Sequence, residues 1–151
     1  MLIFIVSFII TAVLGFVQTT NWLLLGAIVK PNLILTVLIV LASINPSWTK
    51  RIILVLTAGV IVKFTPGFAA LDLIFIGAAL FSIFLLDFLP WQGPVNMLTA
   101  TVAGTVVMNL ERLAVLPIAS EIVLNLLFAF ILYTLIKLVD VPQAELQRNR
   151  F

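Results

Sequence analysis

Apolar residues are arranged along the chain in six stretches, separated by short polar or proline-containing segments. A helix needs about 20 apolar residues to cross a hydrocarbon core of about 30 Å. The pattern therefore predicts six membrane-spanning helices, some of them short. The predicted spans are 1–17, 31–44, 52–62, 68–89, 95–109 and 117–139.

The boundary before the second span depends on the dipeptide Lys30-Pro31. Proline favours the first turn of a helix, and the residue before a proline tends to be extended. We therefore predict a new helix from about Pro31. The apolar stretch 22–29 is expected to lie along the membrane surface, with Trp22 as an interfacial anchor. One long kinked helix over 22–44 is the alternative.

The second and third predicted spans are both short, and the turn signal Asn45-Pro46-Ser47 lies between them. A re-entrant hairpin is the alternative to two complete spans. Its tip would hold Lys50 and Arg51 at mid-membrane, where each charge costs at least about 2.5 kcal/mol. Two complete spans are therefore favoured, with local thinning of the bilayer covering the mismatch in length.

The composition supports a membrane protein and narrows the chemistry. Hydrophobic residues make up 64% of the chain and charged residues 9%, whereas a soluble domain is about half apolar and about a quarter charged. A soluble monomer of this length would leave too much apolar surface in water. The chain has no Cys and no His, which excludes thiol and imidazole chemistry, and we expect no cofactor and no metal site.

The positive-inside rule gives the predicted orientation. Six spans place both termini on one side, and residues 1–141 then form the transmembrane domain with 142–151 as a short polar cytoplasmic tail. The first span lacks a basic leader and a small-residue cleavage site, so we interpret it as retained. With termini inside, five basic residues lie inside (Lys50, Arg51, Lys137, Arg148, Arg150) and three outside (Lys30, Lys63, Arg112). The net charge of +2 is thus a topology signal, and no nucleic-acid partner is expected.

Polar residues inside predicted spans are the main functional lead. In this orientation Asp72 and Glu121 both lie in the outer half of the membrane, and Asn125 follows Glu121 by one helical turn. We hypothesise an outward-opening polar pocket. Its candidate residues are Lys63, Asp72, Asn109, Glu121 and Asn125.

A purely structural explanation of these residues stays open. Acids in the first turn of a helix are favoured by the helix dipole, and Lys63 with Asp72 would form an ordinary ion pair. Glu121 and Asn125 are explained least well in this way because they lie deeper in the span.

Catalysis is not expected from this set of residues. Asp72 and Asp87 are 15 residues apart on one predicted helix, or about 22 Å along its axis, so they cannot form an aspartyl-protease dyad. The serines have no histidine partner, and the chain has no glycine-rich phosphate loop. We therefore predict that the protein is not an enzyme.

The fifth predicted span is rich in small residues, and Ala100 and Gly104 are four residues apart on it. Such spacing allows close approach of a neighbouring helix. That neighbour belongs either to the same bundle, which is the favoured interpretation, or to a partner protein.

The order of features resembles the MreD family of bacterial rod-shape-determining inner-membrane proteins. The resemblance rests on Gln18-Thr19-Thr20 at the end of the first span, on 30–35 at the start of the second, on 58–62 in the third and on the glycine-containing loop after it. It implies a non-enzymatic scaffold of the cell-elongation machinery in the bacterial inner membrane. The implied partners are membrane lipid, an MreC-like bitopic protein, MreB and the peptidoglycan synthases.

One position departs from the family pattern, because Lys63 stands where the family usually has an acid. The resemblance also implies a fold like that of the substrate-binding S-components of energy-coupling vitamin transporters. A small-molecule binding subunit of a transporter is therefore the alternative function. In that case the Ala100 and Gly104 face would dock an energising subunit.

Overall fold

A computed structural model describes residues 2–19, 31–62, 70–110 and 115–148 of the chain. Every regular element within these ranges is an α-helix. The predicted all-α class is confirmed for this part of the chain. The helices are α1 (Leu2–Thr19), α2 (Leu33–Ile44), α3 (Trp48–Val62), α4 (Ala70–Phe88), α5 (Gly93–Met108) and α6 (Val115–Arg148).

The start of α2 confirms the predicted break at Pro31. Residues 31 and 32 are not helical, and the Asn32 side chain accepts a hydrogen bond from the backbone N–H of Leu35, as an N-cap residue does. This geometry excludes a single kinked helix through Pro31. Residues 45–47 separate α2 from α3, as the turn signal predicts. The stretch 22–29 lies outside the described residues.

Helices α3 and α6 extend well beyond the predicted spans, whereas the other boundaries agree to within about two residues. Helix α3 begins at Trp48 rather than at residue 52, and α6 continues to Arg148 rather than ending near residue 139. The predictions placed these boundaries where apolar residues give way to charged and polar ones. Polarity marks the end of an apolar face but does not end a helix, because Lys, Arg, Gln and Glu all favour helical backbone.

Helix α2 is the centre of the bundle. It packs against each of the other five helices, and every residue from Leu33 to Ala42 is buried. The outer helices pack on one another in the order α1, α3, α4, α5, α6. Among the described residues α1 and α6 do not pack against each other. The ring around α2 therefore has a seam between its first and last helices.

Successive helices run in opposite directions, so the bundle has two ends. Short turns join α2 to α3 and α4 to α5, and a salt bridge from Arg51 to Asp87 places the start of α3 beside the end of α4. We call this the Arg51 end. The opposite end carries the end of α1, the start of α2, the end of α5 and the start of α6, and we call it the Asn125 end.

Two helices are long and apolar enough to cross a membrane, over Leu71–Phe88 and Val115–Leu138. Only 33% and 17% of these segments are buried within the protein, which distinguishes them from the core helix of a soluble protein. Their outward side chains are large and apolar, for example Leu73 and Phe84 on α4 and Leu127 and Phe130 on α6. These two helices suggest a membrane protein.

Candidate functional site

The two buried ends of α2 determine where the polar side chains of the bundle lie. A helix leaves four backbone N–H groups without partners at its start and four carbonyls at its end. Asn32 and Asn45, which flank α2, are both buried, so water cannot satisfy these groups. Side chains from neighbouring helices have to provide the hydrogen bonds.

Three amide side chains cap the start of α2. The Asn32 Oδ1 atom accepts from the Leu35 N–H at 3.1 Å. The Gln18 Oε1 atom, from the end of α1, accepts from the Ile34 N–H at 2.9 Å, and Gln18 Nε2 lies 3.4 Å from Asn32 Oδ1. The Asn125 Oδ1 atom, from α6, accepts from the Asn32 N–H at 3.0 Å. Helices α1, α2 and α6 are thus joined through the N-terminus of α2.

The hydrogen bonds at the start of α2 continue into α5, and we call the whole set the amide network. Asn125 Nδ2 donates to Thr105 Oγ1 at 2.9 Å. The Asn109 Nδ2 group donates to the Thr105 carbonyl at 2.9 Å and to Glu121 Oε2 at 3.0 Å. Asn125 and Thr105 are 0% exposed, whereas Glu121 is 8% exposed. The network therefore reaches from the buried centre towards the surface at the Asn125 end.

The structure brings together three of the five predicted pocket residues. Asn109, Glu121 and Asn125 belong to this one network. Both polar atoms of the Asn125 amide have protein partners, so this side chain connects helices rather than lining an open space. Glu121 has a further interaction beyond its bond to Asn109.

The other two predicted residues occupy different positions. Asp72 lies in the first turn of α4 and is partly buried, with an interaction of its own. Among the described residues α4 does not pack against α6, and α2 and α5 pack against both. Lys63 lies outside the described residues, as does the predicted pairing of Lys63 with Asp72.

A second polar cluster caps the other end of α2. Arg51 is only 5% exposed. Its Nε donates to the carbonyls of Ala42 at 3.0 Å and Asn45 at 2.7 Å. Its Nη1 donates to both carboxylate oxygens of Asp87 at 2.9 and 2.7 Å, and its guanidinium lies 5.5 Å from the centre of the Trp48 ring. One side chain thereby joins the end of α2, the start of α3 and the end of α4.

Asn96 caps the end of α4 from the neighbouring α5. Its Nδ2 donates to the carbonyls of Leu86 at 3.3 Å and Leu89 at 2.8 Å. Its Oδ1 is buried and has no hydrogen-bond partner among the residues that the structure describes. Asn96 therefore has the same kind of role at α4 that Arg51 has at α2.

The hydrophobic pattern alone does not predict the hydrogen bonds of Gln18, Asn32 and Thr105, or the pairing of Arg51 with Asp87. A signal for Thr105 was present, because Thr101, Thr105 and Asn109 follow one another at four-residue spacing and form a polar stripe on one helix. The Arg51 pair was also within reach. In the predicted orientation Arg51 lies on the inner side, and Asp87 lies near the inner end of the predicted span 68–89. A cation beside a carboxylate at a helix end is the expected arrangement where water is scarce.

The polar side chains of these clusters connect helices to one another. Among the described residues no group of three or more His, Cys, Asp or Glu side chains is arranged to hold a metal ion. Among the described residues the amide network contains one carboxylate, that of Glu121, which accepts a hydrogen bond from the Asn109 amide. Amides and hydroxyls at these distances align helices and satisfy buried backbone groups.

No protein-family model matches the chain, and no curated protein or solved structure matches it significantly. The site is therefore interpreted from its own chemistry.

Proposed function

We propose that the chain is a six-span membrane protein that acts as a non-catalytic scaffold. The observation that carries the proposal is that the buried polar side chains of the bundle make hydrogen bonds within the protein. Asn125, Asn109, Thr105 and Arg51 each make hydrogen bonds to other parts of the protein. A bundle whose buried polar groups hold helices together presents its outer helix faces, rather than a reactive centre, to other molecules.

The position of the α2–α3 turn supports six crossings over a re-entrant hairpin. Arg51, three residues into α3, bonds to Asp87 at the end of α4. Helix α4 contains a segment long enough to cross a membrane. A turn that lies level with the end of such a helix fits two complete short spans for α2 and α3.

The specific role that we propose is a scaffold of the bacterial cell-elongation machinery, like MreD. Support comes from the sequence resemblance, whose motif residues Gln18 and Asn32 form the cap of α2. The protein would sit in the inner membrane with both termini in the cytoplasm. It would hold an MreC-like single-span protein and the peptidoglycan synthases, with MreB on the cytoplasmic side. In this orientation the Arg51 end, with exposed Lys50 and Lys137, faces the cytoplasm.

The alternative function is a substrate-binding subunit of a transporter, and one argument for it was an available docking face on α5. It uses the small-residue face of α5 to dock an energising subunit. That face is buried within the bundle, because Ala100 is 0% exposed and a Cβ on Gly104 would collide with the Ser82 hydroxyl of α4. The favoured prediction, that this face packs inside its own bundle, is confirmed.

Photocrosslinking from defined helix faces in native membranes tests the proposal. A benzoylphenylalanine would replace Phe8, Phe84 or Phe130, which are outward-facing on α1, α4 and α6, and separately Phe75, which is buried. The scaffold predicts adducts with an MreC-like protein or a peptidoglycan synthase from at least one outward position. The matched Phe75 variant should give none of these adducts.

Either of two results would overturn the scaffold. One is adducts with an ATPase pair and a coupling membrane subunit, which would indicate the transporter subunit. The other is unchanged cell width and wall insertion after depletion of the protein.

A further inference from the structure

At one end of the seam between α1 and α6, polar side chains of both helices bond to the start of α2. Helix α1 packs on α2 and α3, and α6 packs on α2 and α5. At the Asn125 end, Gln18 of α1 and Asn125 of α6 both bond to the first residues of α2. We call Gln18, Asn32 and Asn125 the amide latch.

We propose that the α1–α6 seam is the line along which the bundle opens laterally, and that the amide latch holds it closed. In the described part of the chain, every other neighbouring pair in the ring packs directly, and such packing resists separation of the two helices. The α1–α6 pair lacks such packing among these residues. Its two sides are linked through α2, on which both helices pack and to which Gln18 and Asn125 make hydrogen bonds that break over a small displacement.

The helix beneath the seam is α2. It is buried from Leu33 to Ala42, so separation of α1 from α6 would expose its apolar side chains to lipid, given the membrane location proposed above. Lipid is as apolar as these side chains, so such exposure has no large hydrophobic penalty in a membrane. The hydrogen bonds of the latch therefore oppose opening together with the packing of α1 and α6 on α2.

The absence of Cys from the chain allows a direct distance measurement. Spin labels would be attached at Val13 on α1 and Leu127 on α6, both outward-facing, with a second labelled protein carrying Leu80 on α4 and Val106 on α5 as the reference pair. Distances would be measured by double electron–electron resonance in lipid nanodiscs. Each labelled pair would be examined in the otherwise native chain and in three variants.

Gln18→Met and Asn125→Leu each replace a latch amide by an apolar side chain of the same length. Both are expected to add a longer-distance population at the α1–α6 pair, displaced by roughly 2 Å or more, the scale on which packed helices shift. Thr105→Val is the matched control. It removes the bond from Asn125 Nδ2 to α5 and leaves the bond from Asn125 Oδ1 to Asn32, so it should not change the α1–α6 distance.

Two results would overturn the proposal. One is an unchanged α1–α6 distance in both latch variants while the reference pair is also unchanged. The other is broadening of the reference pair together with the seam pair, which would show general loosening of the bundle rather than opening along one line.

Discussion

Single side chains carry most of the polar interactions of this bundle, and each connects several helices. Arg51 is the clearest case. It combines a two-oxygen contact to Asp87 with hydrogen bonds to two backbone carbonyls. Asn125 is its counterpart at the opposite end. In both cases a buried helix end is satisfied by a side chain that arrives from elsewhere in the sequence.

Arg51→Ala should lower the free energy of unfolding by about 2–3 kcal/mol, because one charge-assisted contact and two backbone acceptors lose their donor. The Asp87 side chain is 38% exposed, so the loss is smaller than for a fully buried ion pair. Thermal unfolding of the purified protein in detergent measures the effect. Lys50→Ala, which removes the exposed charge next in sequence, is the matched control and should be close to neutral. Equal losses for the two variants would show that Arg51 has no special role.

Glu121→Gln separates a structural role from a chemical one. The amide oxygen of Gln can still accept from Asn109 Nδ2, so we expect a change in stability of less than about 1 kcal/mol and full restoration of cell width in a depleted strain. A folded Glu121→Gln protein without activity would instead show that the carboxylate acts on something. That result would support the hypothesis that Asn109, Glu121 and Asn125 belong to a functional pocket.

At the scale of elements, the hydrophobic pattern predicted the existence and order of the helices well. The apolar stretch between Pro31 and Asn45-Pro46-Ser47 forms α2, which begins at Leu33 and ends at Ile44. The pattern could not predict which helix is central. Helix α2 looks like any other apolar stretch, and its burial depends on long-range packing that one sequence does not encode locally. For the same reason the partners of Asn125 and Arg51 were not foreseen, although both residues were noticed.

The contact between α4 and α5 requires a glycine at position 104. A Cβ there would collide with the Ser82 hydroxyl and press on Leu35 of α2 at 3.3 Å. Gly104→Ala should therefore destabilise the protein by about 1–3 kcal/mol through overpacking. Adding Ser82→Ala should restore part of this loss, because it removes the colliding oxygen.

Gly77→Ala is the control for this prediction, since Gly77 is also in a helix, on α4, and a Cβ there meets nothing within 4 Å. It should be neutral or stabilising by up to about 1 kcal/mol, because alanine favours helix more than glycine does. Unfolding midpoints of the three variants in one detergent decide the matter. A destabilising Gly77→Ala, or a harmless Gly104→Ala, would contradict the packing described.

The whole molecule is a bundle built around one short buried helix. Helix α2 has 12 residues and is about 18 Å long, less than the hydrocarbon thickness of about 30 Å. Longer helices surround it, and α4 and α6 present apolar faces outward. A helix with both ends buried requires side-chain caps at both ends, which is what Asn125, Gln18 and Arg51 provide. The central claim is that all six helices cross the membrane around it.

Labelling of single cysteines from the two sides of the membrane tests this claim most directly, since the chain has no cysteine of its own. Lys50→Cys lies at the start of α3, Gln92→Cys in the α4–α5 turn and Leu110→Cys after α5, all at exposed positions. In intact spheroplasts a membrane-impermeant maleimide should modify Leu110→Cys alone, and permeabilisation should expose Lys50→Cys and Gln92→Cys as well. Modification of Lys50→Cys and Leu110→Cys from the same side would contradict the six-span bundle.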